Sequence, residues 1–335
     1  MASPPPAPPP LGKSDAHAVP TWRAAYSDRT AAMMAHFSEL AYVPFVDGTP
    51  KPPAGQPREE KPGGRSQLAA LIAEGGFEVT AVFNKDNVQA FLAVNHDEFA
   101  VLAFRGTANL ADWGINLNIP RIRVPALPSV GIHAGFWDTF HDMDEEILCA
   151  VNAHVPNDLG LYITGHSLGG ALAQVASAVL ERDNLAACYT YGSPRVATLN
   201  FDYAVKCPHY RLVDNWDLVP GVPTPAPWGY LHSGDARLLR GGAPEEIFRR
   251  DQDLLPRAWN YFWSFVLWPL RKSLTVIDDH MIWNYRSRLD FIAERQAGEA
   301  MKAAADDLAA KTAPPVAAAA VQAGPPSEPP ATAPA

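Results

Sequence analysis

Hydrophobic positions change period several times along the chain, and each change predicts an element. Residues 21–43 carry Ala24, Ala31, Met34, Phe37, Leu40 and Ala41 near one face at helical spacing, which predicts an amphipathic helix. Three runs rich in β-branched and aromatic residues follow at 77–83, 88–94 and 99–104. A short polar turn joins the second and third, so they predict a meander of strands. Residues 132–155 begin as a loop and become a helix. Next come a strand at 161–165, a helix at 168–182, a strand at 187–191, a short helix near 197–206, strands at 209–213 and 236–239, and a closing helix at 278–298. Strand and helix thus alternate from residue 135 onward. That order predicts an α/β fold with a mostly parallel central sheet and helices on both faces.

Composition narrows this reading. The 335 residues are 47% hydrophobic and 19% charged, ample for one large core. A net charge of −9 argues against a nucleic-acid backbone as partner. Both ends are low in complexity. Residues 1–20 form a Pro-rich tail and 299–335 an Ala/Pro-rich one, and both are expected to be disordered, flanking a single domain at 21–298. The polar stretch 50–64 is expected to be a surface loop. The opening residues lack a basic n-region and an apolar h-region, so a cytoplasmic location is expected. Cys149, Cys188 and Cys207 are odd in number and widely spaced, which predicts neither a disulfide framework nor a metal site. No cofactor is expected, and the oligomeric state is not legible.

The chemistry concentrates at Gly165-His166-Ser167-Leu168-Gly169. An apolar strand runs into a Gly-flanked Ser, and a helix follows at once, the layout of a nucleophile elbow in an α/β-hydrolase fold. A side chain two residues to either side would crowd such a turn, and glycine occupies both places. A Ser nucleophile needs a His to take its proton and a carboxylate to orient that His, in the chain order Ser, acid, His. The strand ending at Val213 leads into Asp214-Asn-Trp-Asp217, where Asp217 is the preferred acid and Asp214 the alternative. His209, His232 and His280 lie downstream. His209 precedes a strand and reads as structural, and His280, at a loop-to-helix junction, is preferred over His232. The N–H of Leu168 is one expected oxyanion donor, and Thr107, in the loop after strand 99–104, the other.

At this point the residues resemble the class 3 lipase family. Phe104-Arg-Gly-Thr107, Gly131-Ile-His-Ala-Gly-Phe136, Thr164-Gly-His-Ser-Leu-Gly-Gly-Ala-Leu-Ala173, Tyr191-Gly-Ser-Pro-Arg195, Arg211 to Pro220, Tyr230-Leu-His232 and Asp279-His280 are similar to its motifs, in order, across 20–295. The resemblance implies Ser167, Asp217 and His280 as triad, Thr107 and Leu168 as oxyanion donors, and 108–117 as a lid. It implies hydrolysis of lipid acyl esters through an acyl-enzyme, without cofactor or metal. The chain departs from the family at Asp214, where Asn is usual. It also lacks the disulfide and secretion signs of the fungal members, and its inserts at 50–64 and 243–275 are longer than the family minimum.

Within that reading a phospholipase or a mono- or diacylglycerol lipase is the alternative. An alternative from another class is a membrane-associated interaction protein with a vestigial site. The run 258–270 holds three Trp, two Phe and one Tyr between Arg257 and Arg271-Lys272. It is too short to span a bilayer and is expected to make peripheral membrane contact; a pocket wall or plain core are the other readings.

Overall fold

The structure is a computed structural model and describes residues 9–11, 25–43, 64–85, 88–106, 120–214, 217–225, 227–239, 247–249 and 280–312. Strands β1 (Glu78–Lys85), β2 (Val88–Val94) and β3 (Ala100–Phe104) form an antiparallel meander. Strand β4 (Arg121–Val124) pairs with β5 (Leu127–His133) in a separate hairpin. From β3 the main sheet continues in parallel through β6 (Leu161–His166), β7 (Leu185–Tyr191), β8 (His209–Asp214) and β9 (Asp235–Leu239). Strand β10 (Ile247–Arg249) closes the edge antiparallel to β9. The order is β1-β2-β3-β6-β7-β8-β9-β10, a sheet whose centre is parallel.

Central strands read as unbroken apolar runs because helices cover both faces. Every residue of β3, β6, β7 and β8 is buried. Alternate residues feed two cores. Leu102, Phe104, Leu161, Ile163 and Cys188 face α3 (Ala134–His141), α4 (Asp144–His154) and α5 (Leu168–Val179). Val101, Ala103, Tyr162, Ala187 and Tyr189 face α1 (Asp28–Leu40), α2 (Gly64–Ala73) and the start of the last helix, Ile282–Thr312. A four-residue helix, α6 (Phe201–Ala204), precedes β8, and the last helix is α7.

Several sequence expectations shift. Helix α1 begins at Asp28, not 21, because Ser27 caps it in an extended conformation and accepts from the Thr30 N–H at 3.3 Å. Residues 134–154 form two helices that break at Asp142-Met143, and α5 ends at Val179. Helix α2 was not expected, since little beyond Leu68 and Ile72 marks its apolar face. The 1–20 tail needs correction at 9–11. Leu11 is fully buried, its N–H donates to Leu71 O at 2.8 Å, and Pro9 O accepts from His36 Nε2 at 2.7 Å. One large aliphatic side chain in a Pro-rich stretch suffices to dock it.

The C-terminal boundary at 298 also needs correction. The main compact unit ends at Glu294, and a second begins at Arg295. Ile282, Tyr285, Leu289 and Ile292 repeat at i, i+3, i+7, i+10 and are buried. The described part of the second unit is helix to Thr312, exposed from Gly298 to Asp306 and carrying an Arg295–Glu299 ion pair at 3.7 Å. The stretches 50–63, 108–117, 258–270 and 313–335 lie outside the described residues.

Candidate active site

Ser167 sits between β6 and α5 with φ 57° and ψ −124°, the one non-glycine residue with positive φ among the described residues. Such a backbone costs about 1–3 kcal/mol and persists only where its surroundings hold it. Backbone packs closely on the two flanking glycines. A Cβ on Gly165 would strike the Gly169 carbonyl, and a Cβ on Gly169 would strike the Phe104 carbonyl. The two glycines therefore let β6, the start of α5 and the end of β3 meet. The Ser167 N–H donates to Tyr191 O at 2.9 Å, which ties the turn to β7. Leu168 is the first residue of α5, so its N–H has no acceptor within the helix.

Asp217 and His280 come from segments 63 residues apart. Asp217 follows β8 and is fully buried; His280 immediately precedes α7 and is 1% exposed. The His280 Nδ1–H donates to Asp217 Oδ2 at 2.8 Å. Gly192, at the end of β7 with φ 55°, leaves the room for this contact, since a Cβ there would lie 3.0 Å from His280 Nδ1. The other nitrogen, Nε2, is buried without a hydrogen-bond partner among the described residues. An imidazole oriented by a carboxylate through one nitrogen and open at the other is suited to accept a proton.

Two further contacts hold Asp217. Its Oδ1 accepts from the Val219 N–H at 2.9 Å. The Tyr285 hydroxyl donates to Oδ2 at 2.6 Å and accepts from the Asp214 N–H at 2.8 Å. Burial, then the charges of Asp217 and Asp214, push the Tyr285 hydroxyl well above its usual range, so it remains a donor. Asp214 itself turns to Arg288, whose Nη1 pairs with its Oδ2. This second carboxylate is thus neutralised by a cation from α7.

The alternatives lie elsewhere. His232 Nε2 bonds the Pro220 carbonyl at 2.8 Å. His209 lies between Thr190 Oγ1, at 3.0 Å, and Ser233 Oγ, at 3.3 Å. Thr107 lies outside the described residues, although Gly106 before it abuts the Ser167 side chain. Tyr285 was not anticipated from sequence, because it falls on the buried stripe of α7 and reads as core. His166 and Tyr42 were not singled out either. Among the described residues no group of His, Cys, Asp or Glu is placed to hold a metal ion.

The sheet order, the strained Ser and the acid–His pair define an α/β-hydrolase fold. The crystal structure of a mono- and diacylglycerol lipase from Aspergillus oryzae shares the fold, with a TM-score of 0.53 and 22% identity over 68% of this chain and 84% of that one. Residues 101–226 match the family model described as Lipase (class 3). The chain is 34% identical over 170 residues to secreted mono- and diacylglycerol lipase 1 of Fusarium solani, covering 49% of this chain and 51% of that protein. It is 29% identical over 157 residues to a lipase of Rhizomucor miehei, covering 44% and 43% respectively. The chain thus spans about half the length of the curated relatives it matches.

Proposed function

We propose that this protein is a serine hydrolase that cleaves acyl esters of lipids. The observation that carries the reading is the buried Asp217–His280 pair, open at Nε2, in a domain whose one strained non-glycine residue among those described is an elbow Ser. In this reading Ser167 Oγ attacks the ester carbonyl carbon while His280 Nε2 takes its proton. Asp217 holds the ring in the Nδ1–H tautomer and stabilises the imidazolium. The N–H groups of Leu168 and Thr107 receive the oxyanion. Collapse of the tetrahedral intermediate expels the alcohol, which His280 protonates. Water, activated by the same His, then releases the fatty acid from Ser167.

A mono- or diacylglycerol is the favoured substrate class, because the relative with 34% identity is named for that activity. The aromatic run 258–270 and its basic flanks are the proposed contact with the lipid aggregate. The test combines fluorophosphonate labelling with hydrolysis of an ester panel from p-nitrophenyl butyrate to mono-, di- and triacylglycerol and phospholipid. Labelling and turnover that both vanish in folded Ser167→Ala support the reading. Undiminished turnover in that variant overturns it.

A further inference from the structure

One buried hydrogen-bonded line reaches His280 through its main chain, apart from the Asp217–His280 side-chain bond. His166, the last residue of β6, is 2% exposed. Its Nε2 lies 2.5 Å from the backbone carbonyl oxygen of His280. A carbonyl only accepts, so Nε2 carries the proton. The Nδ1 of the same ring lies 2.7 Å from the Tyr42 hydroxyl. A neutral imidazole protonated at Nε2 can only accept at Nδ1, so Tyr42 donates.

Both groups are held in these states. Burial, and then the nearby His280, keep the His166 imidazole well below its ordinary range, against the opposing pull of the His280 carbonyl. Burial raises the Tyr42 hydroxyl, against Arg105 and a hydrogen bond from the Gly106 backbone. The groups facing His166 are Tyr42 at the end of α1, His280 with ring centroids 4.5 Å apart, and Tyr285 at 6.1 Å. Arg105 lies across the Tyr42 ring, 5.7 Å from its centroid.

The line reaches the loop after β3 as well. A Cβ on Gly106 would strike the Tyr42 hydroxyl and lie 2.6 Å from His166 O and 3.2 Å from Ser167 Cβ. Tyr42, His166, Gly106 and His280 come from four separate stretches of sequence. They meet beside Ser167.

We propose that Tyr42 and His166 are positioning residues of the ester-hydrolase site, with the Tyr42 O–H→Nδ1 and Nε2–H→O=C bonds fixing the backbone of His280 relative to Ser167 and Gly106. The inference rests on the hydrolase reading above and adds to it a second anchor for the base. Asp217 orients the His280 ring through its side chain. His166 locates the same residue through its main chain. Two anchors at different atoms constrain both the direction and the place of Nε2, where a displacement of about 1 Å can cost a hundredfold in rate.

The experiment compares Tyr42→Phe, His166→Phe and His166→Gln on p-nitrophenyl butyrate, a soluble ester that leaves lipid adsorption out. Circular dichroism and melting temperature are measured for each variant. Tyr42→Phe removes one hydroxyl and is expected to fold. It should lower kcat about tenfold with KM within about twofold, because position and not ground-state binding is lost. His166→Phe should lower kcat by about a hundredfold, and His166→Gln, whose amide can still donate to the His280 carbonyl, should recover at least about fivefold of that loss. Fluorophosphonate labelling of Ser167 should slow in the same order.

The proposal is overturned if folded Tyr42→Phe and His166→Phe both keep kcat within about twofold of the unmodified protein while Ser167→Ala is inactive; the hydrolase reading then survives alone. It is also overturned if His166→Gln is no better than His166→Phe and the losses follow melting temperature. Unmodified protein that neither turns over esters nor labels at Ser167 overturns the hydrolase reading itself.

Discussion

The Tyr285 hydroxyl donates to the same Asp217 oxygen that receives the His280 Nδ1–H, at 2.6 Å beside 2.8 Å. Two donors on one buried carboxylate oxygen, with Val219 N–H on the other, leave Asp217 little freedom to rotate. Helix α7 therefore carries both the residue that supports the acid and, just before its first turn, the His that the acid orients.

Tyr285→Phe should keep the shape of the core and lose this support. We expect kcat on a soluble ester to fall about tenfold, equivalent to about 1.4 kcal/mol of barrier. Stability should fall by about 1–2 kcal/mol, since the Asp214 N–H also loses its acceptor. Steady-state kinetics and chemical denaturation on one preparation check both. An unchanged kcat would mean that Val219 and His280 suffice to hold Asp217.

Arg288 and Asp214 should behave as a unit. Asp214 is fully buried, whereas the Arg288 side chain is 23% exposed. Arg288→Met would leave a buried carboxylate without its cation and should cost about 3 kcal/mol. Combining it with Asp214→Asn, which removes the buried charge, should bring stability back to within about 1 kcal/mol of the starting protein. Urea denaturation of the four proteins in the cycle measures the coupling. Purely additive losses would show that the pair contributes nothing specific.

Leu11→Ala tests the docked N-terminal segment. A fully buried Leu replaced by Ala should cost about 2–3 kcal/mol, with kcat unaffected because the site lies on another part of the fold. Deletion of residues 1–11 should lower the melting temperature similarly. A melting temperature unchanged in both variants would show that Leu11 docking adds no stability.

His209 predicts a pH dependence of stability. Burial, and then Arg211, lower its imidazole from 6.5 to about 3 in the folded protein. The unfolded chain therefore binds a proton below about pH 6.5 that the folded one refuses, so stability is full above that value and falls as pH drops toward 3. The slope from this residue approaches about 1.4 kcal/mol per pH unit. Denaturation of the unmodified protein and of His209→Gln between pH 7.5 and 5 checks the sign. The unmodified protein should lose more stability over that range, and parallel curves would refute the assignment.

Much of this architecture follows from sequence by local rules. Unbroken apolar runs as short as residues 100–104 and 161–166, ended by turn residues, read as strands buried on both faces, and that burial demands helices on both sides. Gly165 and Gly169 mark the elbow because the turn has no room for side chains there, a constraint that acts within five residues. Chain order then confines the acid and the base to positions after Ser167. What the sequence left open was set by contacts between distant segments. Asp214 and Asp217 are the same residue type three positions apart. The end of β8 sends the first to Arg288 and the turn after it sends the second to His280. Tyr285, Tyr42 and His166 look like core residues in any local window, and their hydroxyl and ring nitrogens acquire meaning only from what packs against them. The docking of Leu11 is likewise invisible locally, because a lone aliphatic side chain is buried or exposed according to whether a distant surface, here that of α1 and α2, has a place for it. Periodicity and glycine placement are written in neighbouring residues, whereas hydrogen-bond partners 63 to 124 positions apart exist only once the sheet has assembled.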